Sequence, residues 1–328
     1  MTETLLSIEN LHVQFKIYEG RLSVLNGIQM TVHTGERVGL VGEAGCGKTT
    51  SMKCVLKILP SPPGEITAGK ILFHGRDILT MGTREMQHIR GSGISMIFQD
   101  PTAALNPVFT IGDQLTSVIK YGSRESLSRK EIYARAVGVL REVQLPDPER
   151  IFNNYPIQLS GGMRQRVSVA MALATEPELL IADEPTTSLD VTIQDQVLRL
   201  LNGLVEQHET SVIFITHSLG VVREMADWVY VMYAGNIIEG ARKEELFANP
   251  LHPYTHGLMN ALPKLTGGGI AEGIPGRIPE YINPPSGCRF HPRCPQAMKQ
   301  CSESLPPVIH TSDDHDVACF QYGGEDYE

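Results

Sequence analysis

Apolar and polar residues alternate about two-fold through LSIENLHVQF and VLNGIQMTV, which predicts short strands over residues 5–41 with a polar hairpin between them. ERVGLV then runs apolar into a glycine-rich loop, and TTSMKCVLKIL follows at helical spacing. Across about residues 100–175 the period changes. IGDQLTSVIKYG, RKEIYARAVGVLREV and GMRQRVSVAMALA each place apolar residues three and four apart, as helices do. Apolar runs of strand length return at LLIAD (179–183) and SVIFIT (211–216), with VLRLLNGLVEQH as a helix between them. WVYVMYAGNIIEG predicts a hairpin turning at Gly235-Asn236. Buried strands alternating with helices predict an α/β core with a mostly parallel sheet. From residue 263, PKLTGGGIAEGIPGRIPEYINPPSG breaks regular structure and reads as a linker into a small terminal module. The predicted division is therefore 1–262, with a helical subdomain at about 100–170, followed by 263–328.

Composition narrows this picture. A chain of 328 residues, 41% hydrophobic and 20% charged, can bury a sizeable core. The net charge of -9 argues against a nucleic-acid surface, which needs clustered Lys and Arg. No apolar run approaches the roughly 18 residues that span a bilayer, and no signal peptide is visible, so a cytosolic protein is expected. In that compartment the six cysteines read as thiols or metal ligands ahead of disulfides.

Residues 42–49, GEAGCGKT, fit the phosphate-loop pattern G-x-x-x-x-G-K-S/T between a strand and a helix. Gly42, Gly45 and Gly47 let the backbone bend so that the N–H groups of Ala44, Cys46 and their neighbours point at phosphate oxygens. The helix start at Lys48, Thr49 and Thr50 adds its positive dipole end. Lys48 supplies a charge for the β- and γ-phosphates, and the Thr49 hydroxyl is suited to Mg²⁺. Cys46 contributes mainly a backbone N–H and can be a small filler. In LLIADE, Asp183 ends a strand and is suited to orient Mg²⁺, while Glu184 is the candidate to polarise the attacking water.

Between these elements lies LSGGMRQR (159–166), and with it the chain resembles the ABC-type ATPases. The resemblance implies an ABC-type nucleotide-binding domain with an antiparallel β subdomain and an inserted helical subdomain, using ATP and Mg²⁺. Gln99 in IFQDP corresponds to the Q-loop glutamine, also expected near Mg²⁺. Ser188-Leu189-Asp190 corresponds to the D-loop and His217 in ITHS to the switch histidine. Phe15 is the expected adenine-stacking aromatic, with Tyr18 as second choice. Glu184, His217 and Gln99 form the expected catalytic set. Ser160, Gly161 and Gly162 open a helix and so form a second anion site. In the family two cassettes pair head-to-tail, which implies that these residues and Asp190 act in trans. Two of these residues have plainer readings: His217 as a structural hydrogen-bonder, and Asp190 as the N-cap of the following helix.

Further on, NPLHPYTHGLMNALP, GCRFHPRCPQAMKQC and HDVACF resemble the oligopeptide and dipeptide permease branch, whose relatives import nickel and oligosaccharides. The resemblance implies a second ATPase subunit (a heterodimer ahead of a homodimer), two membrane permease subunits and an extracellular or periplasmic binding protein. It also implies a peripheral position on the cytoplasmic face of the membrane and no nucleic-acid partner. Cys288, Cys294, Cys301 and Cys319 are separated by five, six and seventeen residues, wider than usual zinc spacing. Spacing leaves the metal open; some branch members carry a 4Fe–4S iron–sulfur cluster on this cysteine set, with zinc as the alternative here. A soluble, non-transporting ABC ATPase is the competing function. Gln99 to Ser160 spans about 60 residues without sustained heptads, unlike the coiled-coil chromosome ATPases.

Overall fold

The two alternating N-terminal segments form the strands Thr4–Ile17 and Gly20–His33, longer than the short strands the pattern predicts. A β-bulge between Glu9 and His12 carries the first of them across the break in its alternation, with Asn10 at φ 48°. Opposite the bulge the chain comes so close that a Cβ on Gly69 would lie 2.5 Å from the Asn10 carbonyl oxygen. Gly69 sits in the strand Gly64–Phe73, which pairs antiparallel with the first strand and which the hydrophobic pattern passes over. With Arg76–Asp77 these make a four-stranded sheet, ordered second, first, third, fourth along the chain.

This computed structural model describes residues 3–123, 125–187, 190–261, 273–312 and 314–323. The chain divides into two units. One comprises Met1–Glu3, His33–Glu36 and Thr80–Ile215; the other comprises Thr4–Val32, Arg37–Leu79 and Thr216–Glu328.

In the first unit, the strands Ile94–Ile97, Leu179–Asp183 and Ser211–Thr216 run parallel, with Ile94 opposite Leu179 and Leu179 opposite Ser211. The last two are buried on both faces, as parallel strands require. The predicted helices are present as Ile111–Gly122, Arg129–Glu142, Gly161–Leu173 and Val191–Gln207. Thr110 with Asp113 and Ser128 with Glu131 form capping boxes at two of their starts. The Ser128 hydrogen bonds hold the exposed Glu131 carboxyl below its ordinary range.

In the second unit, Arg37–Val41 runs parallel to Trp228–Tyr233, which turns back into Asn236–Arg242. The turn residues are Ala234 and Gly235, both at positive φ, one position earlier than predicted. The terminal strands Ile309–Ser312 and His315–Val317 pair with each other, and His315–Val317 also lies antiparallel to Asn236–Arg242. There a buried Glu239 carboxylate is 2.7 Å from His315 Nε2 and accepts the Leu251 and His252 N–H groups. His252 Nδ1 in turn accepts the Tyr254 N–H, capping the helix Pro253–Asn260. Full burial pushes the His252 imidazole down to about 4, so it stays neutral. Tyr233, Tyr254 and Phe290 pack edge-on or tilted in this core, with ring centroids 4.6–5.4 Å apart. Among the described residues no helix is long and apolar enough to cross a membrane. The first part of the predicted linker, residues 263–272, lies outside the described residues.

Candidate nucleotide site and cysteine cluster

The phosphate loop follows the strand Arg37–Val41 and leads into the helix Lys48–Val55, both in the second unit. Gly47, the N-cap, has φ 111°, and a Cβ there would meet Leu25 Cδ2 at 2.7 Å. Gly42 has no room either, since its Cβ would lie 2.1 Å from the Met232 carbonyl oxygen. Lys48 is 5% exposed, and its ammonium donates to the carbonyls of Gly42 (2.6 Å) and Glu43 (3.1 Å). The charge is thus curled over its own loop beside the helix N-terminus, where both favour phosphate. Burial pushes the Cys46 thiol up despite Lys48 nearby, consistent with a filler that stays protonated. Thr49 and Thr50 are half-buried on the first helical turn, and Ala44 is exposed at the loop's crest. Phe15 is half-buried opposite Gly64, whereas Tyr18 lies just past the strand and is fully exposed. His217 is exposed just after the strand Ser211–Thr216.

The remaining nucleotide-site residues lie in the first unit. Asp183 ends its strand and is 2% exposed. Glu184 follows at φ 45°, a left-handed conformation that turns the chain sharply out of the strand. Its carboxylate accepts the Gln99 side-chain amide at 2.9 Å and the Thr187 hydroxyl at 2.9 Å. Gln99 and Glu184 are therefore brought together across 85 positions of sequence. Thr187 was not singled out by the sequence, whose only signal for it is its place in the turn after LLIADE. Ser160 is the N-cap of Gly161–Leu173, its hydroxyl accepting the Met163 N–H at 3.3 Å, while Gly161 and Gly162 form the first turn. Asp190 holds the N-cap position of Val191–Gln207 with extended backbone, but its side chain makes no capping hydrogen bond. The plainer reading of Asp190 is corrected to that extent. Ser188 and Leu189 lie outside the described residues.

Near the C-terminus, Cys288, Cys294, Cys301 and Cys319 line one small cavity with Phe290 and Met298, about 20 Å³ in volume. None of the six cysteines forms a disulfide. Burial pushes the Cys288 thiol up to about 11, and the other three cysteines add to the shift. Burial also raises Cys294 and Cys319. Each sulfur has a backbone N–H aimed at it: Phe290 to Cys288, Gln296 to Cys294, Met298 to Cys301 and Gln321 to Cys319. Even so, among the described residues no group of three or more His, Cys, Asp or Glu side chains is arranged to hold a metal ion.

Comparison with known proteins decides the family. Residues 25–187 match the model of the ABC transporter family, and residues 238–301 match that of the oligopeptide/dipeptide transporter C-terminal region. The oligopeptide transport ATP-binding protein OppD of Bacillus subtilis is 46% identical over 315 residues, covering 95% of this chain and 87% of the relative. The dipeptide transport ATP-binding protein DppD of the same organism is 44% identical, covering 97% and 95%. The chain belongs to the ABC transporter ATP-binding proteins. A solved dimeric ATP-binding cassette in a post-hydrolysis state with ADP and Pi superposes with a TM-score of 0.65 at 26% identity. The match covers 73% of this chain and 98% of that cassette. The ABC assignment makes the chain an ATPase with the nucleotide-binding fold of that family.

Proposed function

We propose that this ABC ATPase powers uptake of oligopeptides or dipeptides through a membrane permease, working as one half of a pair of cassettes. The match of residues 238–301 to the oligopeptide/dipeptide transporter region carries the substrate class. Nickel or oligosaccharide import is the second reading of the same engine.

In this reading Lys48 and the N–H groups of residues 44–50 hold the β- and γ-phosphates, and Phe15 stacks on adenine ahead of Tyr18. Thr49, Asp183 and Gln99 supply oxygen donors suited to Mg²⁺, a hard cation that prefers them. Glu184 takes the proton of the attacking water, and His217 holds that water against the γ-phosphate. Ser160, Gly161, Gly162 and Asp190 serve the nucleotide on the opposing cassette. That division follows from chemistry: a helix start with exposed N–H groups is a second anion site, and one γ-phosphate needs only one loop. The partners are a second ATPase subunit, a heterodimer ahead of a homodimer, two permease subunits and an extracellular binding protein, with the chain peripheral on the cytoplasmic face.

The cysteine set at the end of the chain fits a 4Fe–4S cluster in donor chemistry. All four cysteines line one cavity, and the Met298 N–H donates to the Cys301 sulfur at 3.4 Å. When bound, such a cluster would tie together segments that otherwise join through Phe290 and its neighbours in the core. The cysteine-rich stretch is then a structural extension of the cassette.

Reconstitution with permease subunits in vesicles tests the transport reading. ATP-driven accumulation of a labelled peptide supports it, and accumulation of nickel instead, with none of peptide, overturns the substrate class. Anaerobic purification with iron and sulfide assays and absorbance near 400 nm tests the cluster. Stoichiometric zinc without iron sinks it.

A further inference from the structure

The phosphate-loop pattern leaves position 43 open, because phosphate needs only the backbone there. Glu43 is nevertheless held at both its carboxylate and its backbone N–H. Its carboxylate accepts two hydrogen bonds from Arg293, Nη1 at 2.8 Å and Nη2 at 3.3 Å, a forked pair that combines charge with fixed geometry. Its backbone N–H donates to the Tyr254 hydroxyl at 3.0 Å. Two residues on, the Tyr281 hydroxyl donates to the Gly45 carbonyl at 2.9 Å.

Arg293 is not a loose surface group. Its side chain is 4% exposed in the ion pair with Glu43, and its remaining bonds run to the Tyr233 hydroxyl and the carbonyls of Ile274 and Pro275. It ends the short 3₁₀ turn His291–Arg293, directly before Cys294 and five positions after Cys288. The turn is fixed by the His291 N–H to the Cys288 carbonyl at 3.0 Å, and the Cys288 N–H to the Cys301 carbonyl at 2.8 Å. The cysteine segment and the phosphate loop thus share one hydrogen-bonded frame inside the second unit.

A loop with glycine at 42, 45 and 47 has much conformational freedom to lose when it closes on phosphate. Fixing it beforehand removes that cost from binding. Arg293 also neutralises a carboxylate that would otherwise stand beside an anionic ligand. We propose that Arg293, Tyr281 and Tyr254 are positioning residues that lock the phosphate loop in its nucleotide-binding shape, so that the cysteine segment sets the affinity for ATP. The lock rests on these contacts alone and holds whether or not the thiols carry a metal.

The test is binding of N-methylanthraniloyl-ATP to the full chain, followed by fluorescence. Arg293→Ala should weaken binding about tenfold, within the usual range of coupling between sites, and Glu43→Ala by less, since it removes the carboxylate together with the fork. The double variant should be no weaker than the weaker single variant, because both remove one interaction. Arg293→Lys, which keeps the charge and loses the fork, should fall between wild type and Arg293→Ala. Wild-type affinity in Arg293→Ala well below its melting temperature overturns the proposal, as do additive effects of the two alanine changes. Should Arg293→Ala fail to fold, Tyr281→Phe removes only the hydroxyl on Gly45. A two- to threefold weaker Kd supports the lock, and an unchanged Kd overturns it.

Discussion

At residue scale the informative contact is the one Glu184 makes with Gln99 and Thr187. In the proposed role of proton acceptor, this carboxylate is already oriented by two donors, on a backbone turned left-handed out of the strand. Glu184→Gln should keep ATP binding and cut phosphate release by about 10²- to 10⁴-fold, the usual worth of a positioned base. Stopped-flow phosphate detection with the assembled transporter checks this, and near-normal turnover would remove Glu184 from the role. Thr187→Val should lower turnover several-fold with little change in ATP affinity, since its hydroxyl donates to the Glu184 carboxylate and orients it. Glu184 and Gln99 were legible one at a time, from LLIADE and IFQDP. Their contact was not, because a distance of 85 positions is closed only by the parallel pairing of their strands. Glu43 was invisible for another reason: its partner lies 250 positions away, and its own position in the motif is unconstrained.

At the scale of elements, three-four spacing found Ile111–Gly122 and Arg129–Glu142 nearly residue for residue, whereas Val191–Gln207 starts six residues ahead of the predicted VLRLLNGLVEQH. Periodicity failed at Gly64–Phe73, where a glycine stands in mid-strand because the bulge opposite leaves no room for a side chain. It misplaced the 234–235 turn because Ala234 takes a positive φ that residue type alone does not announce. One element gives a pH dependence. The helix Pro253–Asn260 is capped by neutral His252, whose pKa of about 4 lies below the unfolded value near 6.5. Between those values the unfolded chain binds the proton and the folded chain does not. This contribution is therefore complete above pH 6.5 and is lost as pH falls toward 4. Urea unfolding of wild type and His252→Asn over that window should show a shallower slope for the variant, by up to one proton. Identical slopes would remove His252 as the source. The N-cap of Arg129–Glu142 gives a second expectation: Ser128→Ala should cost about 1 kcal/mol in unfolding free energy.

At the scale of the molecule, the nucleotide motifs and the terminal cysteines carry different kinds of signal. The expected nucleotide chemistry rests on short, ordered motifs of local geometry, at residues 42–49, 159–166 and 179–184. The terminal cysteines needed the fold. Spacing of five, six and seventeen positions does not say that all four face one cavity, nor that each meets a backbone N–H. Cargo is readable only through kinship, because an ATPase subunit meets nucleotide and not the transported solute.

The pairing of His315–Val317 with Asn236–Arg242 means that shortening this chain is not a neutral trim. Ending it at residue 308 would strip a covering strand and leave bare backbone N–H and C=O groups along Asn236–Arg242, a template for another chain to add itself. It would also abandon the Glu239 carboxylate in the interior without His315. Such a protein should scatter light and sediment as large particles at concentrations where the full chain stays in solution. Expression trials that trim the tail for convenience would then be selecting for aggregation.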